Sequence, residues 1–277
     1  MKIAFSPCPN DTFVFHAWVH GLIPGAPKLD VMYADIDITN KLATRKDGPD
    51  ILKISYAALP WVLSEYALLP CGGALGRGCG PLILTKQEHI NHPEELSGRR
   101  VAVPSERSTA YLLFRLWANQ HIPNGLGEIK VMPFHQIMPA VRDGKIDAGL
   151  VIHEARFTYP NYGLNLLTDL GQWWEKETNL PIPLGAIIAR RSLDLKALAN
   201  WTRASVEYAW ANPYASRDYI PHHAQDMDPN VAQAHINLYV NSFTANLGEE
   251  GYAAIEALLN RAAAAGLVPE VDPALLR

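Results

Sequence analysis

Over roughly its first 190 residues the chain alternates short apolar segments with helix-length stretches, and this alternation constrains the fold most. Residues 2–5, 29–33, 50–54, 68–70, 82–85, 100–103, 129–132, 148–152, 164–167 and 184–189 read as strands. Residues 13–19, 38–43, 55–63, 109–119 and 136–143 read as the intervening helices. Strands joined by helical crossovers imply an α/β architecture. From 195 to 265 the pattern is mostly helical, with breaks near Pro213, Pro221 and Gly248; these helices carry no assignable catalytic group and are expected to pack on the first lobe.

The opening segment shows how such a chain presents polar groups. The strand at 2–5 stops at Ser6-Pro7-Cys8-Pro9, because proline fixes φ and removes a backbone donor. Asn10, Asp11 and Thr12 then supply oxygens suited to capping the helix that follows. In an open α/β sheet this turn lies at the carboxyl edge of the strand, where ligands bind.

The pattern occurs twice. Residues 50–54 run into Ser55, and residues 147–152 run into His153; both are apolar strands with an acidic start and a polar exit. This predicts two doubly wound α/β lobes of the type II periplasmic-binding-protein kind, with a cleft between them. The expected division is 1–86 with 188–277 for the first lobe and 87–187 for the second.

Composition narrows the partners. The 24 Lys and Arg against 28 Asp and Glu, with no long basic run, argue against nucleic acid or an anionic membrane. No apolar run reaches the length of a membrane span, and no charged segment followed by a long apolar core opens the chain. A cytoplasmic protein is expected. The three cysteines, Cys8, Cys71 and Cys79, match no zinc spacing and read as reduced thiols. Cys8 precedes a helix start, where thiols gain reactivity, but no His or carboxylate partner is assignable to it from sequence.

If every strand exit faces the cleft, four carry polar groups: Ser6 with Asn10 and Asp11, Lys53 with Ser55, Ser108 with Thr109, and His153 with Glu154. Hydroxyls and free N–H groups at helix starts suit a carboxylate, so a small anionic ligand is expected. Read singly, Ser55, Ser108 and Thr109 are helix N-caps; four exits on one cleft favour a site. His153, directly after a buried strand, is the candidate proton acceptor, since imidazole titrates near neutral pH. The pair His16 and His20 reads as a packed helix face, because no third ligand is evident. His222-His223 reads as loop. The glycines of 71–80 open no phosphate-binding helix; they read as a bend or a close backbone approach. Trp173-Trp174 either packs or shields a ligand.

Several blocks together resemble one family. SPCPNDTF at 6–13, KISYAAL at 53–59, GGALGRGCGPL at 72–82, STAYLL at 108–113, IHEARFTYPNYGL at 152–164 and LPIPLGAIIARR at 180–191 are similar to the 1,4-dihydroxy-6-naphthoate synthases of the futalosine route to menaquinone. The resemblance implies cleavage of cyclic dehypoxanthinyl futalosine to the naphthoate and dihydroxyacetone, without metal or organic cofactor. It implies that His153 is the proton acceptor, and that Lys53, Ile54, Ser55, Thr109 and Ala110 bind substrate. Ser108 stands where the family pattern has threonine, and it keeps the hydroxyl. The sister enzyme chorismate dehydratase and a non-catalytic binder of an anionic metabolite are the competing readings. The oligomeric state is left open.

Overall fold

The structure, a computed structural model, describes residues 1–86, 90–224 and 228–277. In chain order its strands are β1 (Lys2–Phe5), β2 (Asp30–Tyr33), β3 (Ile51–Ser55), β4 (Tyr66–Leu68), β5 (Ala74–Gly76), β6 (Leu82–Lys86), β7 (Val101–Val103), β8 (Ile129–Val131), β9 (Ala148–Val151), β10 (Leu164–Asp169) and β11 (Ile182–Arg190). They form two sheets. One runs β2-β1-β3-β11-β4, with β5 also on β11; the other runs β10-β6-β9-β7-β8. The central strands β1 and β3 pair in parallel, as do β7 and β9. All five residues of β3 are buried, as expected of a strand covered on both faces.

Two strands break the parallel pattern, and they are the ones that carry the chain between lobes. β6 is antiparallel to β9, and β11 is antiparallel to β3. Each arrives from the opposite lobe, so it enters its sheet from the cleft edge and runs outward. Sheet membership therefore moves the crossings earlier than 86/87 and 187/188. Residues 82–86 belong to the second sheet, and residues 182–187 to the first. Residue 87, where the second lobe was expected to begin, lies outside the described residues.

Local chemistry shifts several element boundaries. The first helix spans Pro9–Val19, starting before the expected 13. Proline is preorganised for the first helical position, so Cys8 becomes the N-cap. Asn10 and Asp11 thus stand in the first turn and leave their side chains for other partners. Residues 56–61 form a 3₁₀ segment rather than an α-helix, with Pro60 inside it. His222-His223 closes a short helix, Tyr219–His223, rather than lying in a loop.

One apolar cluster runs through both lobes. It joins Leu52, Ile54 and Tyr56 of the first to Val101, Leu113 and Trp117 of the second. The C-terminal helix Gly248–Ala264 contributes Ala254, Ile255, Leu258 and Leu259 to the same cluster. It packs on β11 and on the second-lobe helix Thr109–His121, so it braces both lobes rather than the first alone. Trp174 belongs to this interior, with its indole N–H donating to the Pro181 carbonyl at 2.9 Å. The tryptophan pair packs in this interior, away from the cavity described below. Among the described residues no helix is long and apolar enough to cross a membrane.

The glycines near the first crossing serve close approach. A Cβ on Gly80 would sit 2.1 Å from the Gly171 nitrogen and 2.3 Å from its Cα, backbone against backbone. The Gly80 carbonyl accepts from Arg156 at 2.9 Å, and Arg156 also pairs with Asp169 at 2.5 Å. Gly80→Ala is expected to cost about 1–3 kcal/mol or more of stability, because no flexible side chain can yield. Urea denaturation checks this; an unchanged midpoint would show that the backbones separate freely.

Candidate active site

The carboxyl ends of β1, β3 and β9 and the starts of helices Pro9–Val19 and Thr109–His121 surround one cavity. It holds about 640 Å³ of empty space including its mouth. Asn10, Asp11, Lys53, Ser55, Ser108, Thr109, Ala110 and His153 all line it. Ile54 does not. Side chains alternate along a strand, so Lys53 and Ser55 face the cavity while Ile54 enters the apolar interior.

A buried polar network forms the first-lobe wall. The Lys53 ammonium lies 2.6 Å from Asp11 Oδ1, and these side chains are only 5% and 3% exposed. Ser6 donates to Asp11 Oδ2 at 2.7 Å, and Asn10 Nδ2 donates to Asp11 Oδ1 at 2.7 Å. The other end of the Asn10 amide, Oδ1, lies 3.0 Å from Nε2 of His235. Gly185 makes room for the lysine: a Cβ there would lie 2.6 Å from Lys53 Cε. A paired, hydrogen-bonded charge is the form in which a buried lysine is tolerated.

His153 faces this wall from the second lobe, two residues beyond β9. It is half-buried and lines the cavity, and its backbone is left-handed at φ 54°. A non-glycine residue held there is strained by about 1 kcal/mol or more, a feature that gathers at functional sites. Phe134 meets the ring edge-on at 5.7 Å, and the His235 ring lies nearly parallel at 6.1 Å. Cys8 Sγ sits 3.7 Å from Nδ1, which leaves Nε2 as the ring nitrogen for a ligand. Burial pushes the imidazole down, but the Cys8 contact, Glu154 and Asp11 outweigh it and raise the pKa to about 9. Burial and the charges of His153 and Lys53 instead lower His235 to about 3. One cavity thus holds two imidazoles in different charge states.

The three hydroxyls differ in what remains free. Ser108 is the N-cap of its helix, accepting from the Tyr111 N–H at 3.1 Å and donating to the Ser105 carbonyl. Thr109 is a clamp between lobes. It donates to the Leu184 carbonyl at 2.8 Å and accepts from the Ala57 N–H at 3.2 Å. Ser55 accepts from Asn40 Nδ2 at 3.1 Å, so its own proton stays available. Among the described residues, the N–H groups of Thr109 and Ala110 have no protein acceptor, the arrangement of donors that suits an anion at a helix start. Thr109→Val keeps the shape but strands two buried backbone groups. We expect a loss of about 2 kcal/mol or more, read by urea denaturation; a neutral substitution would remove the clamp from the account.

Comparison with known proteins now has a site to attach to. A family model described as menaquinone biosynthesis matches residues 1–264. The chain belongs to the menaquinone biosynthesis family. Among curated relatives, the 1,4-dihydroxy-6-naphthoate synthase of Streptomyces coelicolor is 67% identical over 276 residues, covering 99% of this chain and 96% of that protein. The Thermus thermophilus protein of the same name is 44% identical over 270 residues, covering 96% and 95%. The crystal structure of protein AF1704 from Archaeoglobus fulgidus superposes with a TM-score of 0.88 at 33% identity, covering 96% of this chain and 98% of that one. The periplasmic aliphatic sulphonate binding protein SsuA from Escherichia coli superposes at 0.71 and 13% identity, covering 99% and 90%; this likeness speaks for fold alone. The menaquinone-family chain accordingly has a periplasmic-binding-protein-like fold.

For this menaquinone-family cavity, sequence reasoning missed one wall and one contact. The helix Pro229–Tyr239 brings His235 and Tyr239 to the lining, although the C-terminal helices were expected to offer no chemical group. Their i, i+4 spacing after an Asp228-Pro229 helix start was the available signal. The Cys8 contact with His153 was equally hidden, since 145 residues separate the two. His16 and His20, with rings 4.4 Å apart, pack against Tyr219. Among the described residues no cluster of three or more His, Cys, Asp or Glu has metal-site geometry.

Proposed function

We propose that this chain is a carbon–carbon lyase that converts cyclic dehypoxanthinyl futalosine to 1,4-dihydroxy-6-naphthoate and dihydroxyacetone. His153 is its general base. One observation carries the reading: His153 from one lobe meets Lys53, Ser55 and Asp11 from the other across a single cavity. The names of the two curated relatives support the reaction. The three free cysteines suit the reducing cytoplasm, where we place the enzyme.

The aromatic carboxylate of the substrate sits on the N–H groups of Thr109 and Ala110 and accepts a hydrogen bond from the Ser55 hydroxyl. Asp11 balances the Lys53 charge, and the raised pKa of His153 leaves the resting chamber cationic, which favours an anion. Neutral His153 removes the proton beside the ketone. The released electron pair drives cleavage toward the three-carbon fragment, and formation of the aromatic diol draws the reaction forward. A positioned base supplies about 10²–10⁴-fold; orientation and exclusion of water in the closed cleft supply the remainder.

Incubation with the cyclic substrate, followed by mass spectrometry, tests the reading. Naphthoate and dihydroxyacetone in equal amounts are expected. Substrate returned unchanged would mean a binding protein, and turnover of chorismate instead would mean a dehydratase.

A further inference from the structure

His235 has no part in the reaction as stated, yet its environment is constructed with care. His235 is fully buried and is one of the residues around the cavity. Its Nδ1 has no hydrogen-bond partner. A buried acceptor without a partner is destabilising, and each such group in a folded protein calls for an explanation.

The tautomer follows from the network. Asp11 is a carboxylate held by the Lys53 ammonium, so it accepts and does not donate. Asn10 must therefore turn Nδ2 toward Asp11 and Oδ1 toward His235. An amide oxygen accepts only, so His235 presents Nε2–H to it. The remaining nitrogen, Nδ1, is a bare lone pair on a neutral ring. Lys53 and Asn10 thus both donate to Asp11, and His235 donates to Asn10, so the network converges on the carboxylate.

A bare lone pair repels carboxylate, carbonyl and ether oxygens and accepts from a hydroxyl. We propose that His235 is a further substrate-binding residue, whose Nδ1 accepts a hydrogen bond from a hydroxyl of the sugar-derived portion that departs as the three-carbon product. The assignment rests on the reading of the reaction given above, and it orients the substrate. The carboxylate end lies at the start of the helix Thr109–His121, and the hydroxylated end lies at the helix Pro229–Tyr239. The same hydroxyl keeps its own lone pairs for the cationic donors opposite. The low pKa of His235 agrees with an acceptor that stays uncharged beside them.

The test compares two substitutions in the full chain. His235→Gln reaches Asn10 with an amide nitrogen but removes the acceptor at the Nδ1 position. His235→Asn places an amide oxygen near that position and releases Asn10. The expected result is a fall of roughly 10–100-fold in kcat/KM for His235→Gln, the worth of one buried hydrogen bond, and partial recovery in His235→Asn. Nitrogen NMR of histidine-labelled protein supplies a readout independent of turnover. In the slow His153→Asn background, one imidazole keeps Nε2–H and bare Nδ1 between about pH 5 and 8, and its Nδ1 signal moves when the cyclic substrate is added. Near-normal kcat/KM in His235→Gln, or an Nδ1 signal indifferent to substrate, overturns the proposal. A wild type that leaves the substrate untouched overturns the functional reading itself, and the wild-type control separates that result from the variants.

Discussion

His153→Asn is expected to lower turnover of the cyclic substrate by about 10²–10⁴-fold while leaving ligand binding measurable. Asparagine is the informative replacement, because it tolerates the left-handed backbone that His153 occupies. Alanine would add backbone strain to the loss of the ring. The pH profile sharpens the test. The profile of kcat/KM reports groups of the free enzyme, and the ring pKa is raised to about 9. Protonated imidazole accepts no proton, so kcat/KM should climb as pH rises toward 9. Burial opposes the shift and the Cys8 contact supports it. Cys8→Ala therefore moves the rising limb to lower pH. Turnover near wild type in His153→Asn, or a limb that ignores Cys8→Ala, would remove the ring from the chemistry.

The second large effect concerns the wall opposite. Asp11→Asn or Lys53→Met breaks a pair that is 3% and 5% exposed and leaves one buried group uncompensated. Such losses cost about 3–5 kcal/mol, and denaturant titration should find that range for each single variant. The double variant Asp11→Asn/Lys53→Met should regain much of the stability, since no lone charge remains. It should not regain turnover, because the Lys53 donor and the Asn10 orientation are both gone. Gly185→Ala provides a milder comparison, displacing the lysine stem while keeping its charge. Single variants as stable as wild type would mean that water reaches the pair.

Much of the architecture was legible because apolar strands and their polar exits follow local rules. Lys53, Ser55 and His153 stand where strands end, and Thr109 and Ala110 where a helix begins, so position along the chain was enough. Ile54 shows the limit of reading a motif as a block, since alternate residues of a strand point to opposite faces. The crossings were misplaced because an apolar strand looks alike in either sheet; only pairing assigns β6 and β11. His235 was invisible for another reason. It reaches Asn10 across 225 residues, and the i, i+4 spacing with Tyr239 marks a shared helix face without saying that this face meets a chamber. The start of the first helix moved because Pro9 outcompetes the later polar residues for the first turn.

The shared apolar interior has a consequence for how the enzyme holds together. Each half has an apolar cluster of its own, but Leu52 and Leu113 belong to a third cluster that spans both and that the helix Gly248–Ala264 also enters. The two rims of the reaction chamber are therefore tied together by common packing, and a substitution in the shared cluster bears on both halves at once.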